Sequence, residues 1–344
     1  MRRPSSAVDL TAHPEGRIGT APPRTRMWRD GALVAEGFPV AEVSDRLAEP
    51  GTTVWLDLCG PERSELDVIS AELGLHGLAV EDAVSRHERA RLDRYPEYLF
   101  LNVYSTEGEG DGQALREVSA FVTPRALVTV RQGVGFDVDA LVGHWDAHPD
   151  LARYGVSYLL HGLLDLVVDR HVAAIQALDD ESEALEDLLF SADSGASMRE
   201  LQRRSFELRK NLVRVRKAVL PMRDIVVTLL RRDVHAVEEP MLPYFQDVYD
   251  HALHAIERTD SLRDMIANLL ETRISLQDTQ RNEVMKKVTS WAGIIAVPTA
   301  ITGFYGQNVP YPGRDQYWGF LTGTAIMVAS SLVLYVIFKL RDWL

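Results

Sequence analysis

The chain has 344 residues and a formal net charge of −13, a balance that argues against nucleic acid as a partner and suits a cation. Its length predicts about two domains, and a mean hydropathy of only −0.10 confines any membrane-spanning part to a minority of the chain. The single cysteine, Cys59, excludes an intrachain disulfide and fits a reducing compartment; as a small residue at a strand end it reads as core.

Residues 1–26 are rich in Pro, Arg and Ser and lack an apolar stretch. They read as a disordered tail and not as a secretory signal. Residues 27–153 read as an α/β domain with a small, mostly antiparallel sheet. Its β-rich runs are Thr53–Leu58, Tyr98–Tyr104, Val118–Val122 and Leu127–Val130. Helical patterns cover Pro61–Leu73, with Pro in the first turn and Gly74 just past the end, and Phe136–Trp145. The segment from Glu107 to Gly112 alternates acid and glycine. Its acids would repel phosphate and no lysine follows, so it is a loop between strands and not a nucleotide cradle.

Residues 154–242 read as a helical hairpin. Its first arm, Tyr158–Phe190, ends in an acidic tract, and its second, Ser197–Asp233, is basic. Opposite charge across the hairpin is the expectation. From Pro243, a residue suited to a helix start, neither Pro nor Gly recurs until Gly293. One helix then runs from Pro243 to Tyr305, about 95 Å at 1.5 Å per residue. Residues 243–287 form its stalk. A seam at spacings of three and four, Phe245, Val248, Ala252, Ala255, Thr259, Leu262, Ile266, Leu269, Arg273, Leu276, is a heptad pattern with two polar breaks and predicts packing on other helices.

A second stripe repeats every seven residues: Asp250, Glu257, Asp264, Glu271, Asp278. The same step continues to Met285, Ala292, Thr299 and Gly306, a face without the bulkiest apolar side chains. A solvated coiled-coil back accounts for the acids alone; a wet pathway accounts for the whole stripe. Heptad phase drifts along a straight helix, so the nearer members share a side most closely. Glu271 and Asp278 are then vestibule residues, and Asp250 faces outward or a domain.

Two runs free of acidic and basic side chains close the chain, 288–305 and 318–338. Each is about long enough to span a bilayer as a helix. The link between them, 306–317, is short. Basic residues flank the runs on their far sides (Arg281, Lys286, Lys287; Lys339, Arg341), which predicts that both termini, including the tail 339–344, lie in the cytoplasm. No P-loop, zinc-protease or nucleophile-elbow motif points to an enzyme.

These features meet in one family. The chain resembles the CorA superfamily of divalent metal ion channels over nearly its whole length. The resemblance rests on LHGLAVEDAVSRHERARLDRYPEYLFLNVY (75–104), RKNLVRVRKAVLPMRDIV (209–226), PYFQDVYDH (243–251), NEVMKKVT (282–289) and Tyr305-Gly306-Gln307-Asn308. The family's usual signature is Gly-Met-Asn; here Gln307 takes the place of Met. The usual run of C-terminal lysines is reduced to Lys339 and Arg341.

The resemblance implies a funnel-shaped homopentameric channel in a bacterial inner membrane: an α+β cytoplasmic domain, long stalk helices and two C-terminal transmembrane helices. The first span would line the pore and the second would face lipid. Residues 305–308 would form the selectivity mouth. Gly306 carbonyls and Asn308 amides can hydrogen-bond the waters of a hydrated Mg²⁺ and hold the ion loosely enough to release it. Asn282, Met285, Val288, Ala292, Ala296, Thr299 and Gly303 would line the pore, with Met285 and Val288 able to gate by dewetting. Asp82 and Asp247 match positions where a regulatory metal bridges subunits. Glu81, Asp250, His251 and His254 form a wider set of candidate ligands, and the histidines favour Zn²⁺, Co²⁺ or Ni²⁺. The expected function is influx of Mg²⁺, with Co²⁺ as a second ion, gated by internal divalent metal and needing no cofactor. A Zn²⁺ or other transition-metal transporter, and a poorly conducting metal sensor or scaffold, remain open.

Overall fold

The computed structural model describes residues 21–85, 89–109, 112–190, 198–231, 236–307, 313 and 316–344. It divides into two compact units, Met1–Ile266 and Ala267–Leu344, whose boundary falls inside one long helix.

The first unit is built on a seven-stranded sheet of order β2-β1-β3-β7-β6-β5-β4. The strands are β1 (Ala21–Arg29), β2 (Ala32–Glu36), β3 (Thr52–Cys59), β4 (Arg91–Arg94), β5 (Leu99–Glu109), β6 (Gly112–Val122) and β7 (Ala126–Arg131). Among the described residues β3 and β7 pair in parallel and the other neighbouring strands pair antiparallel, so the sheet is mostly antiparallel, as the sequence suggested. β1 starts at Ala21, inside the stretch read as tail, and it buries Thr25, Arg26, Met27 and Trp28. The expected tail therefore ends before residue 26. β1, β2 and β4 carry prolines or charges that mask their strand character.

Alternation along the central strands divides the core between the two faces of the sheet. Leu56, Leu58, Phe100, Phe121, Val128 and Val130 meet Leu66 and Ile69 of α2 (Arg63–Leu73) and Ala79, Val80 and Ala83 of α3 (Gly77–Val84). α1 (Val43–Ala48) covers Met27 and Val54 nearby. Helix α2 begins two residues later than expected. Pro61 precedes it, Glu62 and Glu65 form a capping box, and Gly74 closes it in the left-handed conformation at φ 66°.

On the other face Trp55, Leu101, Val103, Val118, Ala120 and Leu127 pack on α4 (Val138–Ala147), α5 (Gly155–Phe190), α6 (Met198–Leu230) and the start of α7 (Leu242–Tyr305). Trp145 of α4 stands edge-on to Trp55, with centroids 4.8 Å apart. Gly162 of α5 makes room for it: a Cβ there would sit 2.3 Å from the indole nitrogen. Within the sheet, Asp57 and Arg131 form a buried ion pair that Thr129 completes with a 2.7 Å hydrogen bond to Asp57. The apolar helix within Pro149–Leu188 is long enough to cross a membrane, but 67% of its apolar window is buried, which makes it a core helix of this unit.

The seam of α7 is buried from Phe245 through Val248, Ala252, Ala255, Thr259 and Leu262 to Ile266. Phe245, Val248 and Ala252 join the core that holds Met222, Ile225 and Val226 of α6. Both arms of the hairpin also pair with α7. The acidic arm reaches α7 through Asp179 and Arg258, and the basic arm reaches it through Arg216 and Asp260, 3.2 Å apart. Arg203 bonds Glu200 and Glu207 within α6 itself.

The second unit holds the rest of α7 and α8 (Tyr317–Leu340). Both helices are long and apolar enough to cross a membrane, and only 6% of each apolar window is buried within the chain. They run antiparallel. Gly293 faces the ring of Phe338, and Tyr305 lies against Gly323.

Candidate metal centre and pore face

Asp165 lies in Leu163-Leu164-Asp165-Leu166-Val167-Val168, a charge set in the most apolar stretch of α5. The flanking leucines and valines are buried in the core, which fixes the carboxylate at the edge of the helix packing. Asp247 and His251 stand one turn apart on α7, beside the seam residue Val248, and therefore on the margin of the same packing. Ligand atoms of Asp165, Asp247 and His251 all lie within 4.8 Å of one another. His144 of α4 adds a nitrogen 3.3 Å from Asp165 Oδ2.

The electrostatics of this group are those of a site short of positive charge. Burial raises the pKa of Asp165; the neighbouring imidazoles of His144 and His251 oppose that rise, and Asp247 adds to it. Asp169, a turn further along α5, is raised by burial and then by Asp165. His161 lies 5.7 Å from the rings of both Tyr244 and Phe245. Its pKa is lowered to about 4, chiefly by burial and then by His144 and His148. Asp165 and Asp169 thus stand where burial disfavours their charge, and a divalent ion is the natural compensation. Three ligand atoms about 2.1 Å from one ion are about 3.6 Å apart when evenly spread, so movements of up to about 0.7 Å by each side chain would close the group on one ion. Two carboxylates and water suit Mg²⁺; the His251 and His144 nitrogens suit Co²⁺, Ni²⁺ or Zn²⁺.

The residues expected to share this face of α7 divide. Asp247 and His251 join Asp165, whereas Asp250 accepts from Gln246 at 3.4 Å and His254 pairs with Glu257 at 3.6 Å. Asp82 lies on α3, where Arg91 of β4 pairs with its carboxylate. Glu81 is exposed beside it. Asp165 and His144 were missed by sequence reasoning. The available signal was a carboxylate inside an otherwise apolar helical run.

In the second unit Glu271, Asp278, Asn282, Met285, Val288, Ala292, Ala296, Thr299 and Gly303 are all exposed in the single chain. At 100° per residue they fall within about 60° of the Met285 direction. Ile294, Val297, Ile301 and Tyr305 are partly covered, and they project from the other side of α7, toward α8. One side of the helix is thus committed to α8, and the small and polar side is left open. Helix α7 ends at Tyr305. The Gly306 N–H still reaches Thr302 O at 2.9 Å, and Gln307 N–H reaches Phe304 O at 3.2 Å. A Cβ on Gly306 would crowd that Thr302 oxygen at 3.1 Å. Gln307 is exposed. Asn308, the expected selectivity residue, lies outside the described residues.

Known proteins share this architecture. The cobalt/magnesium transport protein CorA of Thermotoga maritima is 28% identical over 308 residues, covering 86% of this chain and 85% of that protein. The protein of the same name from Methanocaldococcus jannaschii is 25% identical over 319 residues, covering 91% and 98%. The complete structure of the CorA magnesium transporter from Methanocaldococcus jannaschii superposes with a TM-score of 0.75 at 23% identity, over 94% of this chain and 99% of that one. The full-length CmaX protein gives 0.72 at 19% identity, over 96% and 99%. The family described as CorA-like Mg²⁺ transporter protein matches residues 50–340, and with that match spanning most of its length the chain belongs to this family.

Proposed function

We propose that the protein is a divalent cation channel that admits Mg²⁺, with Co²⁺ as a second ion, and that internal divalent metal gates it. The observation that carries the reading is the two-sidedness of α7. Its apolar side meets α8, and its other side leaves Asn282, Ala292, Ala296, Thr299 and Gly303 exposed among the described residues. Five such faces around an axis would line a narrow, mostly uncharged path in a bilayer. The family's pentameric assembly supplies that arrangement. The mouth, at Tyr305 to Asn308, would hold a hydrated ion through amide and carbonyl oxygens. With both termini in the cytoplasm of a bacterial cell, the membrane potential favours inward movement by about 4.6 kcal/mol per 100 mV for a double charge, so no energy-coupling domain is required.

Gating is read from the acidic groups of the first unit. Asp247, with Asp165 and His251 in its own subunit and Asp82 supplied by a neighbour, would bind metal and tie α7 to the α/β domain. Filling the site would favour the closed state; emptying it would restore carboxylate repulsion. A second reading, a transition-metal transporter, is favoured by the His144 and His251 nitrogens and by Gln307. Uptake into liposomes by the purified protein, measured for Mg²⁺, Co²⁺, Ni²⁺ and Zn²⁺ in turn, separates the two. Uptake of none of them would leave a membrane-anchored sensor.

A further inference from the structure

The guanidinium of Arg91 bridges two carboxylates. It pairs with Asp82 of α3, and its Nε lies 2.9 Å from Asp93 Oδ2 on its own strand. It also sits 5.8 Å from the ring centroid of Phe100, which is fully buried. β4 pairs with β5 so that Arg91 stands opposite Asn102. The cation is therefore seated on the sheet and does not sweep through solvent. Asp82 is 35% exposed and Arg91 38%, so both remain within reach of an incoming ion.

One of the carboxylates assigned above to regulatory metal thus already holds a cation that belongs to the protein. A guanidinium cannot lose its proton and offers no lone pair. It neutralises Asp82 but cannot chelate, and its positive charge opposes a metal ion on the same carboxylate. We propose that Arg91 is a tethered counter-cation that competes with the divalent ion for Asp82 and so sets the metal concentration at which the site fills. When the site is empty, Arg91 also blunts the repulsion between Asp82 and the facing carboxylate. Metal then has to displace a resident charge, which raises the threshold for closure. The proposal rests on the reading of Asp82 as a ligand.

The test is a Mg²⁺ titration of the full-length protein at constant ionic strength, followed by thermal stabilisation. The variants are Arg91→Gln, Arg91→Lys, Asp82→Asn and the double variant. An exposed ion pair of this kind is worth about two- to five-fold in a competing equilibrium, so Arg91→Gln should lower half-saturating Mg²⁺ by about that factor. Arg91→Lys, which keeps the charge but not the two-pronged bridge, should fall between it and the parent. In an Asp82→Asn background the Arg91→Gln effect should vanish. Unchanged or weaker Mg²⁺ binding in Arg91→Gln overturns the proposal. An undiminished effect without Asp82 also overturns it, since loss of a positive charge anywhere nearby would then explain the result. If Arg91→Gln does not assemble, Arg91→Lys decides: a lowered threshold supports competition, and an unchanged or raised one removes it. Parental Mg²⁺ binding by Asp82→Asn alone would instead remove the underlying assignment of Asp82.

Discussion

His144 Nε2 lies 3.3 Å from Asp165 Oδ2, joining α4 to α5 at the place where α7 brings Asp247 and His251. Helices α4, α5 and the distant α7 thus meet around one carboxylate whose ionisation burial opposes. The first prediction follows from that opposition. Asp165→Asn removes a charge that burial disfavours, so the metal-free protein should melt at a higher temperature than the parent. The same change deletes a ligand and should weaken Co²⁺ and Mg²⁺ stabilisation at least about tenfold in concentration, a loss that even outer-shell changes cause at metal sites. Thermal melts with and without metal measure both effects. Parental metal stabilisation in this variant would remove Asp165 from the site.

The regulatory reading depends on carboxylates from two places in the fold. Neutralising both (Asp82→Asn with Asp247→Asn) should abolish inhibition of uptake by internal Mg²⁺ and the Mg²⁺-dependent gain in thermal stability. A ligand biases a state, or stabilises it, only where it binds. Liposome flux and melting curves on one preparation test both. Strong inhibition in the double variant would place sensing elsewhere, with the Asp250 and His254 face next in line.

How far the sequence carried these assignments depends on where the information lies. The seam from Phe245 to Ile266 was legible because burial on one side of a helix leaves a period in one segment. The central strands were legible for the same reason: β3 and β7 are short apolar runs. β4, Arg-Leu-Asp-Arg, was not, since an edge strand carries charge where it meets solvent. β1 opens Ala-Pro-Pro-Arg, which reads as tail until the rest of the sheet is present to pair with it. The pairs that join α5 and α6 to α7 were not legible, because charge sign predicts attraction but not which neighbour receives it. Asp165 was hidden by its own surroundings, and its partners on α7 lie some eighty residues further on. The open face of α7 was visible as a stripe, yet its opposition to the α8 contact required Gly293, Phe338, Tyr305 and Gly323 to be placed.

The mouth of the proposed channel carries the third prediction. Asn308 follows the end of α7 and would present the amide that meets the hydrated ion. Asn308→Ala should abolish Mg²⁺ uptake while leaving the oligomer intact by size-exclusion chromatography. Gln307→Met restores the family's usual residue at an exposed position, so it should shift the order of preference among Mg²⁺, Co²⁺ and Zn²⁺ without abolishing flux. Normal transport in Asn308→Ala would remove the assignment of the mouth, and an unchanged cation order in Gln307→Met would show that its amide has no part in selection.

The last prediction concerns pH and a histidine away from every proposed metal ligand. His171 of α5 is 1% exposed, and its Nε2 lies 2.7 Å from Tyr104 O on β5. Burial, only partly offset by that hydrogen bond, holds its pKa down to about 4. In the unfolded chain the same imidazole titrates near about 6.5. Between those values the unfolded state binds the extra proton, so stability falls as pH falls through this window. The neutral form's advantage is complete above about pH 6.5, and at pH 5 the loss from this one residue is about 2 kcal/mol. His171→Gln keeps an N–H able to reach Tyr104 O and removes the titration. It should cost some stability at pH 7.5 through imperfect packing, yet show a shallower decline between pH 7 and pH 5 than the parent. Urea unfolding at a series of pH values, read by tryptophan fluorescence, gives both slopes. His161, also held near pKa 4, leaves a residual slope in the variant. Equal slopes in parent and variant would mean that His171 is protonated in the fold or that another group governs acid stability.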